Sequence, residues 1–209
     1  MEQYHKISNV FRRTTDTFKL IEGDWMKPEF EYLQNNLWHV TEKVDGTNIR
    51  IQVTKDGLKF RGKSDNAQMP TPLLEHLMAI FGGDNFTKIT QMFDQDFCIY
   101  GEGYGGSIQK GSKYNPTQTF TLFDVKVGNN WLGEEDLLTF AGSLNLPRVP
   151  IIGEMTLIDA IEFAKKGFKS HYGDFNAEGI IAKPLVELTN EYGERVIVKI
   201  KSLDFEGQR

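Results

Sequence analysis

Apolar and polar positions alternate in three short runs between residues 37 and 63. Residues 37–44 and 49–54 read as strands around an Asp45-Gly46 turn, and Lys55-Asp56-Gly57 turns the chain into a third strand at 58–63. The period then changes. Leu73, Leu74, Leu77, Met78 and Phe81 recur at helical spacing behind Thr71-Pro72 and stop at Gly82-Gly83, which predicts a capped amphipathic helix. Strands resume at 97–102 and 119–127, both rich in aromatic and β-branched residues, and Gly128-Asn129-Asn130 ends the second in a turn. Two further helices are expected, near 134–144 and over 156–166, the latter opened by Thr156 and Asp159 at the spacing of an N-terminal cap pair. A strand at 179–183 and a closing hairpin complete the pattern. Its turn is Glu191-Tyr192-Gly193-Glu194, and Lys199 and Lys201 lie on its return strand.

Strand blocks interrupted by helices predict an α+β fold with substantially antiparallel sheets, not a parallel doubly wound one. A chain of 209 residues can bury one sizeable core, and no repeat, low-complexity tract or linker divides it, so a single domain over 1–209 is expected. No apolar run approaches the roughly 18 residues of a membrane span. The N-terminus, with Glu2, His5 and Lys6, lacks a secretory pattern, so no membrane partner is expected and the cytoplasm is the expected location. Cys98 is the only cysteine, which excludes an internal disulfide and a cysteine-based metal site. Within Phe97-Cys98-Ile99-Tyr100 it reads as a small core residue. The net charge of −5 argues against coating nucleic acid by bulk attraction. Local basic tracks remain: Lys59, Arg61 and Lys63; Lys110 and Lys113; Lys165, Lys166 and Lys169; Lys199 with Lys201.

Lys43 stands beside a carboxylate and a glycine in Glu42-Lys43-Val44-Asp45-Gly46-Thr47-Asn48. An amine attacks phosphorus only when neutral, and neighbouring cations or burial favour that form. Val196-Ile197-Val198-Lys199-Ile200-Lys201 alternates, so a strand aims both ammonium groups to one side of its sheet. Arg61, where the third strand ends, can clamp a phosphate. Tyr100-Gly101-Glu102-Gly103 places a carboxylate among glycines, where bare backbone admits a ligand and the carboxylate can accept ribose hydroxyl hydrogens. By simple alternation Phe120, Leu122 and Asp124 face oppositely to Thr121 and Phe123. One phenyl ring there can stack on a base, although aromatic strand residues are more often core. Glu178, ahead of Gly179-Ile180-Ile181-Ala182-Lys183, can hold a hydrated Mg2+, which needs only one or two protein oxygens. Taken singly, the lysine segments read more often as solvated cations on a wet strand face, and the others read just as readily as a surface cation, a glycine turn or an ordinary turn acid.

Read in order from about residue 38 to 202, the segments resemble the covalent lysyl nucleotidyltransferase superfamily of polynucleotide ligases and mRNA capping enzymes. Lys43-Val44-Asp45-Gly46 is similar to its nucleophile motif, Tyr100-Gly101-Glu102 to its ribose-binding motif and Phe123-Asp124 to its base-stacking motif. Glu178-Gly179-Ile180-Ile181-Ala182-Lys183 and Lys199-Ile200-Lys201 resemble its last two. Gly46-Thr47-Asn48, and Gly105-Gly106-Ser107-Ile108-Gln109-Lys110-Gly111 leading to Tyr114, resemble RNA ligases of the RNA ligase 2 type. Asp45 departs from that group, whose members often carry histidine there, and agrees with other ligases of the superfamily.

The resemblance implies the nucleotidyltransferase fold, an ATP-grasp-like ligase core with two mainly antiparallel sheets flanked by helices. It also implies ATP with Mg2+ or Mn2+ as cofactors, and as substrate RNA with 3′-OH and 5′-phosphate ends, joined through a lysyl-AMP intermediate and an adenylylated RNA end. Under it Lys43 is the nucleophile. Lys199, Lys201 and Arg61 neutralise or orient phosphates, Glu102 and Phe123 hold ribose and adenine, and Glu42, Gly46, Asn48 and Lys183 complete the nucleotide-binding set. Asp45 and Glu178 hold the metal through water. Sequence ends at Arg209, soon after the last motif, so the catalytic domain is expected to stand alone, with an accessory protein or the core itself replacing the usual appended domain. So short a ligase suits a phage origin and RNA repair in a host cytoplasm. The rival readings are a minimal ATP-dependent DNA ligase, a GTP-using capping enzyme, and a nucleotide- or RNA-binding module without catalysis.

Overall fold

From the N-terminus the chain forms β1 (Ser8–Asn9), β2 (Phe11–Arg13), β3 (Leu20–Trp25), α1 (Pro28–Tyr32), β4 (Leu37–Glu42), β5 (Thr47–Thr54) and β6 (Gly57–Arg61). There follow α2 (Thr71–Phe81), α3 (Asp84–Thr90), β7 (Phe97–Tyr104), β8 (Thr119–Val127), β9 (Asn130–Trp131) and α4 (Glu134–Leu144). The last elements are β10 (Ile151–Thr156), α5 (Leu157–Lys166), β11 (Gly179–Pro184) and β12 (Val198–Lys201). The computed structural model describes residues 2–205. Its strands form a sheet ordered β6-β5-β7-β8-β9, a second ordered β1-β12-β11-β4-β10, and the ribbon β2-β3. Among the described strands every pairing is antiparallel except β1 with β12. The expected α+β architecture of mainly antiparallel sheets flanked by helices is present.

The chain divides into two compact units. One comprises residues up to His5 together with Asp45–Val149; the other comprises Lys6–Val44 and the chain from Pro150 onward. In the first, Ile49, Ile51 and Val53 of β5, Phe97 and Ile99 of β7 and Phe120, Leu122, Val125 and Val127 of β8 present one sheet face to α2 and α4. Leu73, Leu77 and Phe81 of α2 sit four residues apart and are fully buried, each contributing about 1.5–3 kcal/mol through apolar burial. Asn145 closes α4 in the left-handed conformation (φ 53°), which asparagine tolerates better than most residues.

In the second unit Trp38 and Val40 of β4, Ile180 and Ala182 of β11 and Val198 and Ile200 of β12 pack with Leu157, Ala160, Ile161 and Ala164 of α5. The expected cap is there. Thr156 Oγ1 accepts a hydrogen bond from the Asp159 N–H at 3.1 Å and donates to Asp159 Oδ2 at 2.6 Å.

Several local expectations are corrected. The Asp45-Gly46 segment does not join a hairpin, because β4 pairs with β10 and β11 whereas β5 pairs with β6 and β7. The two strands serve different cores, and that long-range pairing overrides the local turn signal. Thr71 does not cap α2; Pro70 holds the N-cap position and no side chain bonds to the helix end. Alternation along β8 fails at one point. Tyr100 pairs with Asp124 but Gly101 pairs with Leu122, so Phe123 is an extra residue in a β-bulge. Phe120 and Leu122 before the bulge, and Val125 and Val127 after it, therefore share the core face, and Asp124 faces away from Leu122. The elements before residue 37, the helix α3 and the strand β10 are too short or too polar to have given a sequence pattern. Cys98 is buried, as expected.

Candidate active site

Lys43 follows the last residue of β4, and its N–H donates to the Gly179 carbonyl at 2.9 Å, extending the β4-β11 ladder by one rung. That rung depends on glycine: a Cβ at Gly179 would lie 2.1 Å from the Ile200 carbonyl oxygen. Glu178, immediately before it, is thereby set beside Lys43. Lys43 Nζ lies 2.5 Å from Glu178 Oε2, and Lys201 Nζ lies 2.7 Å from Glu178 Oε1. Lys199 and Lys201 are two apart on β12 and share a sheet face, with Val198 and Ile200 buried on the other.

The electrostatics follow from that placement. Burial disfavours the charged Glu178 carboxylate, yet the charges and hydrogen bonds of Lys43 and Lys201 outweigh it and hold the carboxyl below its ordinary value. The carboxylate that acts on Lys199, Asp204, does so more weakly than the surrounding ammonium groups. Burial, then the charges of Lys201, Lys43 and Lys6, push its ammonium below the usual lysine range. An anion arriving at this cluster would offset the mutual repulsion of Lys199, Lys201, Lys43 and Lys6, although not the burial, so the cluster suits a phosphate. Lys183 lies on β11 opposite His39 and is half-buried.

Glu42, expected in the nucleotide-binding set, has protein partners for its carboxylate. Its carboxylate is fully enclosed and accepts hydrogen bonds from Ser170 Oγ at 2.5 Å and from the His171 N–H at 2.9 Å, with His171 Nδ1 at 3.0 Å.

In the other unit Asn48 pairs with Glu102 across β5 and β7, and Gly46 lies against the same carboxylate. A Cβ at Gly46 would stand 2.3 Å from the Gly103 carbonyl oxygen and 2.9 Å from Glu102 Cγ, so the glycine makes room for Glu102. The Asp45 N–H donates to the Tyr114 hydroxyl at 3.4 Å. Phe123 is half-buried, and the bulge turns its ring away from the core. Arg61 is exposed at the end of β6, and its Nη1 donates to the Phe60 carbonyl at 3.0 Å.

Among the described residues no group of three or more His, Cys, Asp or Glu side chains assembles. Glu178 already serves two ammonium groups. Such a donor set suits a divalent cation that keeps most of its water and comes with a phosphate ligand, not one caged by protein oxygens.

Sequence reasoning missed Arg50, Ser170, His171 and Tyr4. Arg50 is fully buried. Its Nε donates to the Gly62 carbonyl at 2.8 Å and its Nη2 lies 2.9 Å from Asp65 Oδ1, which ties down the segment following Arg61. A lone cation between Ile49 and Ile51 was the signal available for it. Tyr4 donates to buried Asp124 at 2.5 Å and meets the Phe123 ring edge-on at 4.9 Å. Nothing local in the sequence links residue 4 to residue 124.

The RNA ligase family matches residues 36–201, and the chain belongs to that family. Solved structures share the fold. Naegleria gruberi RNA ligase with PPi aligns at a TM-score of 0.68 and 19% identity, covering 100% of this chain and 64% of that one. A variant of the same enzyme with ATP and Mn gives 0.69 and 18% (98% and 63% covered), and another with AMP and Mn gives 0.68 and 18% (97% and 63% covered). The chain thus spans about six-tenths of the length of those ligase chains. No curated protein matches it in sequence. No helix among the described residues is long and apolar enough to cross a membrane.

Proposed function

We propose that this chain is an ATP-dependent RNA ligase that works through a lysyl-AMP intermediate. The observation that carries the reading is the Lys43-Glu178-Lys201 arrangement, with Lys199 on the same sheet face as Lys201, in a chain of the RNA ligase family.

In the first step Lys43 Nζ forms a bond to the α-phosphorus of ATP while the bond from that phosphorus to the bridging oxygen breaks. Pyrophosphate leaves, and the proton of the amine passes to Glu178 or to water. Glu178, 2.5 Å from the amine, orients it for attack. Lys199 and Lys201 neutralise the charge that gathers on phosphoryl oxygens. In the other unit Glu102 accepts ribose hydroxyl hydrogens, Phe123 stacks on adenine, Arg61 and Asn48 meet phosphate, and Gly46 admits the ligand. AMP then passes to an RNA 5′-phosphate, and a 3′-hydroxyl displaces it to seal the strand. Where Mg2+ or Mn2+ accompanies the triphosphate, Glu178 would hold it through water, with Asp45 the other carboxylate of the expected set, and the ion would supply further neutralisation of phosphate charge. RNA with 3′-OH and 5′-phosphate ends is the substrate.

Intact-mass spectrometry of the protein incubated with ATP and Mg2+ or Mn2+ tests the reading. Wild type gains one AMP and Lys43→Ala gains none. Absence of the adduct from wild type, or its persistence in Lys43→Ala, overturns the proposal. Sealing of nicked RNA against nicked DNA then separates an RNA ligase from a DNA ligase.

A further inference from the structure

The segment between α5 and β11 is a closed loop. The Ala177 N–H bonds to the Phe168 carbonyl at 3.0 Å, and the Ser170 N–H bonds to the Phe175 carbonyl at 2.9 Å. One end of this loop carries Ser170 and His171, and the other carries Glu178. The strand beside it ends in Glu42 followed by Lys43. Two ties therefore join the same two pieces of chain: Lys43 reaches Glu178, and Glu42 reaches Ser170 and His171.

The second tie is built like an anchor. A carboxylate removed from water is unfavourable unless it is well hydrogen-bonded, and the fully enclosed Glu42 finds its donors on two consecutive residues of one loop. The Tyr172 N–H in turn donates to Ser170 Oγ at 3.1 Å, which fixes the hydroxyl that serves Glu42. On the strand side the Glu42 N–H donates to the Pro150 carbonyl at 2.8 Å, and Glu42 pairs with Ile180. Glu42 is held at both backbone and side chain, and Lys43 is the next residue.

We propose that Ser170 and His171 are positioning residues for the nucleophile. By fastening Glu42 they set the approach of Lys43 to Glu178, and Glu42 itself touches no nucleotide. This inference rests on the ligase reading for its chemistry, and it deepens that reading by separating residues that hold the amine from residues that bind ATP.

The test uses Ser170→Ala, Ser170→Thr and His171→Ala in the full chain, with two readouts. The first is single-turnover formation of the AMP adduct over a range of ATP concentrations. Ser170→Ala is expected to lower the saturating rate at least about tenfold, as small misplacements of a reacting group do, with the half-saturating ATP concentration within about twofold of wild type. Ser170→Thr, which keeps the hydroxyl, restores the rate. A wild-type rate in Ser170→Ala, or a raised half-saturation at an unchanged rate, overturns the proposal; the latter result makes Glu42 a nucleotide contact. Should Ser170→Ala not fold, His171→Ala, whose side chain is half-exposed, decides by the same comparison. The second readout is the rate of reductive methylation of Lys43, followed by peptide mass spectrometry without ATP. If wild type takes up no AMP, the ligase reading fails and methylation still judges the anchor: a changed Lys43 rate in Ser170→Ala supports it, and an unchanged rate overturns it.

Discussion

Glu178 shares its two carboxylate oxygens between Lys43 at 2.5 Å and Lys201 at 2.7 Å. One carboxylate thus joins the proposed nucleophile to the Lys199-Ile200-Lys201 strand. Because the folded value of its carboxyl lies below the unfolded one, the group contributes stability that is fully present above its ordinary value of 4.5 and is lost as the pH falls through the folded value. Denaturant titrations between neutral pH and about pH 3 are expected to show a steeper acid loss for wild type than for Glu178→Gln. Parallel acid slopes count against the ion pairs.

Lys199 gives the opposite sign. A lysine whose folded value is depressed opposes folding below that value, and the opposition fades as the pH rises through it. Lys199→Met is therefore expected to raise the thermal midpoint slightly at neutral pH while abolishing AMP transfer, with the difference shrinking toward the ordinary lysine value of 10.5. Pyrophosphate should raise the midpoint of wild type more than that of the variant. Scanning fluorimetry across pH, with and without pyrophosphate, checks the three midpoint outcomes, and an AMP-transfer assay checks the fourth.

Gly46→Ala places a methyl group 2.3 Å from the Gly103 carbonyl oxygen, so either the end of β7 or Glu102 must shift. The expected result is a stability loss of about 1–3 kcal/mol, typical of overpacking, together with a rise in the ATP concentration needed for half-saturation. Denaturation and adenylylation measured on the same preparation test both.

Base-aromatic stacking is worth about 1–3 kcal/mol per base, so Phe123→Leu is expected to raise the half-saturating ATP concentration about 5- to 150-fold at a similar saturating rate. An unchanged half-saturation places adenine elsewhere.

Arg50 and Arg61 face each other in the β5-β6 register, yet they are expected to fail differently. Arg50→Met removes the buried, charge-assisted hydrogen bond to the Gly62 carbonyl, which should destabilise the fold by about 1.5–3 kcal/mol, and also frees the exposed Asp65. Arg61→Ala, at an exposed position, should leave stability within about 0.5 kcal/mol and lower activity. Unfolding and AMP-transfer assays on the pair separate the roles.

The helix bounds of α2 and α4, the strand β8 and the Thr156 cap were legible because each rests on residues close together in the chain: a four-residue apolar spacing, a run of β-branched and aromatic residues, a hydroxyl three positions before a carboxylate. So was the pairing of Lys199 and Lys201 on one sheet face. The partners of buried charges were not. Glu42 is satisfied by residues more than a hundred positions away, and Asp124 by Tyr4. Sequence spacing carries no trace of such contacts. The Asp45-Gly46 segment misled for a related reason: a turn signal says that the chain bends, not which sheet receives it.

Phe123 is the extra residue of the β8 bulge. If residue 123 is skipped, Phe120, Leu122, Val125 and Val127 alternate with Thr121, Asp124 and Lys126 without a break, so the pleat beneath the helices is already in phase without it. The phenyl ring is thus a graft on a strand complete in its absence: deleting residue 123 would leave the hydrophobic interior in register and, under the proposed reading, remove only the ring that stacks on adenine.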